Sequence, residues 1–213
     1  MAVKVKICGI TSAAQAQMVA AAGADALGVV LYPPSPRAVT LERATEVAAA
    51  SGPFCQLVAL LVNSDRAAVE QVIERLRPGL LQFHGDETAE FCEQFNYPYI
   101  RAIRVRPCDD VEALASGYKS ARGLLFDAWD ERRFGGTGQQ FDWSLLPANC
   151  PAPLILAGGL EPDNVAGAVA SVAPYAVDVS GGVESAPGIK CPRRVAAFIA
   201  AAKSPGAAVG DAN

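Results

Sequence analysis

The chain has 213 residues, of which 51% are hydrophobic and 19% charged, and its formal charge is -4. That length and apolar content suit one domain with a sizeable core, and the interspersed acids and bases argue against a duplex nucleic-acid partner or an anionic membrane. No run of about eighteen apolar residues appears, nor does a signal-like amino terminus, so a soluble, cytoplasmic protein is expected.

The first periodic stretch is VKVKICGIT. Val3, Val5 and Ile7 alternate with Lys4 and Lys6, the period of a strand with unlike faces, so Cys8 stands at the strand's carboxyl end. Gly9 allows a turn there, and Thr11 or Ser12 can cap a helix over 12–22 that Gly23 ends. Residues 24–31, ADALGVVL, form a nearly continuous apolar run suited to a parallel strand buried on both faces. The loop YPPSPR leads to a helix over 40–50. A third strand follows over 56–62, a helix over 65–76 capped by Ser64 or Asp65, and a fourth strand over 80–83.

The alternation continues with a helix over 88–95, a strand over 99–105 and a short helical crossover within 109–120. The sixth strand, GLLFD, spans 123–127; a polar loop then runs to residue 140, before a helical piece near 141–146. A strand over 154–157, a helix over 162–172, a strand over 175–179 and a helix over 192–202 with proline in its first turn complete the pattern. Eight units of about 27 residues predict an α/β fold, a single-domain (β/α)₈ TIM barrel over 1–203, with 204–213 a disordered tail. The alternative is an open doubly wound sheet, but its GxGxxG fingerprint is missing after the first strand.

In such a barrel the strand ends gather at one rim. They bring together Cys8, Arg37, Asn63, Gln82 with His84, Arg104, Asp127, Gly158 with Gly159, and Ser180, Gly181 and Gly182. The glycine pairs after strands seven and eight, beside expected helix starts, suit a phosphate; singly, either could be only a tight turn. Arg37 follows PPSP, which stiffens its loop, and its guanidinium suits a planar carboxylate through two parallel hydrogen bonds, unless it is a surface arginine. Asp127 ends an apolar strand and is a candidate proton donor. Cys8 is either a small buried hydrophobe or the partner base. At an unperturbed pKa of about 8.5 only a few per cent of a thiol is thiolate at neutral pH; the helix start after Gly9, a lysine or the substrate itself are the alternatives for activating it.

The six cysteines show no CxxC pair or metal-finger spacing, so free thiols and no structural zinc are expected. His84 is the only histidine, which rules out a multi-histidine metal site within one chain.

KICGIT at 6–11, SPR at 35–37, LQFHGDE at 81–87, FD at 126–127, GGTG with FDW at 135–143, LAGGL at 156–160 and SGGVESAPGIK at 180–190 together resemble the phosphoribosylanthranilate isomerase family. The resemblance implies a cofactor-free, metal-free (β/α)₈ barrel that carries out an Amadori rearrangement in tryptophan biosynthesis. It would convert N-(5-phosphoribosyl)anthranilate, a small phosphorylated aminosugar, into 1-(2-carboxyphenylamino)-1-deoxyribulose 5-phosphate, as a monomer or homodimer. It further implies that Asp127 protonates the ring oxygen and Cys8 takes the proton from the second sugar carbon. Arg37 would hold the anthranilate carboxylate, and Gly158, Gly159, Ser180, Gly181 and Gly182 the phosphate. Gln82 and His84 would line the mouth, with GGTG as a covering loop.

The chain departs from that family at Gly181, where a serine is more usual, at Cys191, where aspartate is usual, and at Gln139 and Gln140, where Lys-Thr is common. A histidine-pathway isomerase of the same reaction type would call for aspartate at the place of Cys8. A non-catalytic phosphosugar-binding protein would not need both Cys8 and Asp127.

Overall fold

The computed structural model describes residues 2–128 and 141–204. The GGTG loop, Gln139, Gln140 and all of the expected tail except Ser204 lie outside the described residues. Eight parallel strands close into a barrel in sequence order: β1 (Lys4–Cys8), β2 (Ala26–Val30), β3 (Gln56–Leu61), β4 (Leu80–Phe83), β5 (Tyr99–Val105), β6 (Gly123–Ala128), β7 (Leu154–Leu156) and β8 (Ala176–Val179). Closure is made by β1 on β8, with Lys6 opposite Asp178.

Helices α1 (Ala13–Ala21), α2 (Leu41–Ala50), α3 (Arg66–Leu76), α4 (Ala89–Glu93) and α5 (Val111–Ser116) fill the first five crossovers. Side chains at their starts set their limits: Ser12, Thr40, Asp65, Thr88 and Asp110 each accept a hydrogen bond from a backbone N–H of the first turn. After β6 the described residues hold a single 3-10 turn, Trp143–Leu145, where the sequence pattern suggests a helical piece. Helix α6 (Val165–Val172) starts later than the pattern predicts. Asn164 accepts from the Glu161 N–H and donates to the Gly159 carbonyl, tying that turn to the preceding loop. The last crossover carries a 3-10 turn (Gly181–Val183) and a small hairpin of β9 (Glu184–Ala186) and β10 (Ile189–Lys190), unanticipated from the sequence, before α7 (Pro192–Lys203). Cys191 takes the cap position of α7 without a side-chain cap bond.

The strand alternation divides the core in two. Val5, Ile7, Leu27, Val29, Leu81, Phe83, Leu124 and Phe126 point outward and pack with the helices. Val58, Ile100, Ala102, Leu125, Ile155, Ala157 and Ala176 fill the barrel's interior. Above them, at the carboxyl rim, Cys8, Val30, Leu60 and Val62 form a separate small cluster with Tyr32. Lys6 and Cys8 therefore face inward together, and the polar face read from the alternating lysines is the barrel's interior.

Candidate active site

Cys8, Arg37, His84, Asp127, Asp178 and Ser180 line one pocket at the carboxyl rim, walled by Val30, Tyr32 and Leu60. These side chains come from β1, β6, β8 and the loops after β2, β4 and β8, so barrel closure is what gathers them. A larger open cleft, about 650 Å³, lies between Trp143 and Ser171 toward the amino-terminal rim. Its lining includes neither Cys8 nor Asp127.

Asp127 is 6% exposed. Its Oδ1 accepts from the Ala128 N–H at 2.9 Å, and Oδ2 lies 3.3 Å from His84 Nε2, off the line of a good hydrogen bond. Behind the ring, the Gln82 amide nitrogen sits 2.8 Å from Nδ1; with the amide donating, Nδ1 accepts and the ring proton is on Nε2, toward the carboxylate. Gln82 is fully buried and does not line the pocket, so it supports His84 rather than forming part of the mouth. Gly158, at φ +83°, matters here too: a Cβ there would lie 3.2 Å from Asp127 Oδ1 and 2.8 Å from the Ala128 nitrogen.

Across the mouth, Cys8 is 5% exposed. Burial pushes its thiol pKa up; the Lys6 and Lys190 ammonium groups oppose that rise and Asp178 adds to it. The helix start brings no N–H to the sulfur: α1 begins only at Ala13, after the Gly9 and Ile10 N–H groups have turned to the Gly28 carbonyl. Gly9, at φ +80°, instead makes room: a Cβ there would meet Arg37 Cδ at 2.5 Å and Ser180 Oγ at 3.0 Å. Ser180 Oγ donates to the Cys8 carbonyl at 3.0 Å.

Arg37 does find a planar carboxylate, but it is one within the chain. Nε and Nη2 donate to the two oxygens of Glu184 at 2.9 and 2.8 Å. Glu184 also accepts from the buried Lys190 at 2.7 Å. Burial works to raise the Glu184 carboxyl's pKa, yet the bonds from Arg37 and Lys190 outweigh it and hold it below the ordinary value. The pattern SGGVESAPGIK contained both residues, but nothing in it pointed back across 147 positions to Arg37.

The glycine loops interlock. Gly158 and Gly159 have φ of +83° and +61°, and a Cβ on Gly182 would run into the Leu160 carbonyl oxygen. The expected helix starts are not beside them: α6 begins at Val165, and Gly181 opens only a three-residue 3-10 turn. Asn63 and Arg104, placed at the rim from the sequence, brace the loop after β4 through Asp86 rather than lining the pocket. Asn63 Oδ1 accepts from the Asp86 N–H at 2.7 Å, and Arg104 Nη2 contacts Asp86 Oδ1 at 2.7 Å. Glu87 completes that loop, accepting from the Asn63 and Gly85 N–H groups at 2.7 and 2.8 Å and from Arg101 at 3.2 Å.

A parallel barrel with a thiol and a carboxylate across one rim pocket, and two glycine loops beside it, has the build of a barrel enzyme that moves protons on a small anionic substrate. Residues 5–201 match the family model described as N-(5'phosphoribosyl)anthranilate (PRA) isomerase. The chain belongs to this family. An N-(5'-phosphoribosyl)anthranilate isomerase of Pseudomonas aeruginosa (strain UCBPP-PA14) is 52% identical over 203 residues, covering 95% of this chain and 96% of its own. The phosphoribosyl anthranilate isomerase of Thermotoga maritima superposes with a TM-score of 0.87 at 36% identity, covering 95% of this chain and 99% of that one. A further isomerase of the same name, solved in complex with reduced 1-(o-carboxyphenylamino)-1-deoxyribulose 5-phosphate, superposes at 0.81 with 33% identity, covering 95% and 99% of the two chains. Among the described residues no helix is long and apolar enough to cross a membrane, and no group of His, Cys, Asp and Glu is arranged to hold a metal ion.

Proposed function

We propose that Cys8 and Asp127 carry the reaction as general base and general acid. The activity is the isomerisation of N-(5'-phosphoribosyl)anthranilate in tryptophan biosynthesis. The observation that carries the assignment of roles is that the thiol and the carboxylate line the same pocket with Arg37 and Ser180.

Asp127 gives its proton to the furanose ring oxygen as the anthranilate nitrogen pushes its lone pair toward the first sugar carbon. The C–O bond breaks and an iminium forms. Cys8, as thiolate, removes the proton from the second sugar carbon; the electron pair moves to neutralise the iminium, and the resulting enolamine tautomerises to the ketone. Each positioned proton transfer is worth about 10² to 10⁴ in rate. His84 faces the acid's carboxyl group, and the loops bearing Gly158, Gly159, Ser180, Gly181 and Gly182 take the phosphate through backbone N–H groups. Incubating the protein with enzymatically generated phosphoribosylanthranilate and following the loss of its fluorescence tests the activity; an unchanged signal under conditions where the Pseudomonas relative is active contradicts it.

Arg37 is the carboxylate-binding residue in this reading, with an adjustment that the geometry requires. Glu184 takes Nε–H and one of the two Nη2–H donors, so the anthranilate carboxylate meets, through charged hydrogen bonds, the donors left on Nη1 and Nη2. Arg37→Ala then raises KM about 10- to 100-fold, the equivalent of one such bond at about 1.5–3 kcal/mol, with kcat nearly unchanged. Steady-state kinetics check this; a large loss of kcat at unchanged KM removes Arg37 from that role. The protein acts as a monomer or homodimer. We assign it to the cytoplasm, an address that its six unpaired cysteines fit.

A further inference from the structure

Lys6 stands two residues before Cys8 on the same inward face of β1, and the acid and base roles above leave it unused. It is 5% exposed, and its Nζ lies 2.8 Å from Asp178 Oδ1 on β8. On the other side, Gly28 of β2 is the register partner of Cys8. A Cβ at that glycine would lie 2.9 Å from Cys8 Sγ and 3.1 Å from Lys6 Nζ, so thiol and ammonium share the space that one methyl group would fill. A buried lysine ordinarily sheds its proton; here burial works to lower the Lys6 pKa, but Asp178 and Cys8 outweigh it and hold it raised.

Building on the reading of Cys8 as the base, we propose that Lys6 is a positioning residue for it: the ammonium, anchored by Asp178, donates to Cys8 Sγ, favours its thiolate form against the burial that opposes it, and holds the sulfur facing the substrate. The other charged or titratable groups around the sulfur do not replace Lys6. Lys190 also favours the thiolate but is bound to Glu184, which Arg37 shares. Asp178 opposes the thiolate, and Tyr32, His84 and Asp127 complete the pocket's titratable lining. Gly28 fits this role as well, because any side chain there would push sulfur and nitrogen apart.

The test compares Lys6→Met, which keeps the stem and removes the charge, with Lys6→Met/Asp178→Asn, which leaves no lone carboxylate buried if the single variant does not fold. The ultraviolet absorbance of the Cys8 thiolate, taken as a difference from Cys8→Ala, is titrated in each, and kcat is measured across pH. In Lys6→Met the thiolate titration and the rising limb of kcat move up by about one pH unit or more, and turnover near neutral pH falls about tenfold and recovers in alkali; in the double variant, which also loses the opposing Asp178 charge, the rise is smaller. In the unsubstituted protein, the NMR signal of the Lys6 ammonium shifts as the thiol titrates, and Cys8→Ala abolishes that shift; this arm needs no lysine variant. A folded Lys6→Met variant whose thiolate titrates where the parent's does, or whose kcat falls equally at every pH, overturns the proposal, as does a Lys6 signal indifferent to the thiol. If instead Cys8→Ala retains turnover, the reading of Cys8 as base fails first, and the two failures are thereby told apart.

Discussion

Replacing Asp127 by asparagine lowers kcat by about 10² to 10⁴, the worth of one positioned proton donor. The amide has the shape of the carboxyl group and can still accept from the Ala128 N–H, which holds Oδ1 at 2.9 Å. It can also still face His84, so the pocket keeps its form. What it loses is a proton that can be given to a developing alkoxide, because an amide N–H is far too weak an acid. Ring opening then depends on water, which the 6% exposure of this position admits poorly. Substrate affinity is expected to change little, since phosphate and carboxylate are held by other loops. Steady-state kinetics with the purified variant check this, and a kcat within about tenfold of the parent would remove Asp127 from the acid's role.

The parts of this site that could be read from the sequence are those fixed by one strand at a time. The strands over 80–83 and 99–105 were legible to the residue because each is a short, largely apolar stretch set off by turn or polar residues, Pro78 and Gly79 before the first and Pro98 before the second. The placing of Cys8 and Asp127 at strand ends follows from such runs, and eight of them imply closure. The residues that could not be read are paired across that closure. Lys6 and Asp178 lie 172 positions apart, and which interior side chains meet depends on the stagger of β1 against β8. Alternation revealed that Lys6 and Cys8 share a face, but an isolated strand gives no sign that this face is the barrel's inside. Glu184 was hidden for a similar reason, since the hairpin that carries it is only three and two residues per strand. Helix limits depended on single side-chain bonds, as at Asn164, which helical periodicity does not contain.

Removing the sulfur is the second large effect. Cys8→Ala deletes a side chain at the pocket wall, so the fold loses little, while the reaction loses its acceptor for the proton on the second sugar carbon. Before that substitution, the pH dependence already carries the sign. Burial raises the thiol pKa above the ordinary cysteine value, so the thiolate fraction, and kcat with it, grows as pH rises through that raised pKa. The alanine variant has no such group, and the limb assigned to the thiol disappears. The most direct measurement sets the kcat of Cys8→Ala beside its affinity for the reduced product analogue. The account predicts a kcat lower by about 10² to 10⁴ with analogue affinity within about threefold of the parent. A variant that binds the analogue and still turns over at close to the parent rate would show that another group takes the proton.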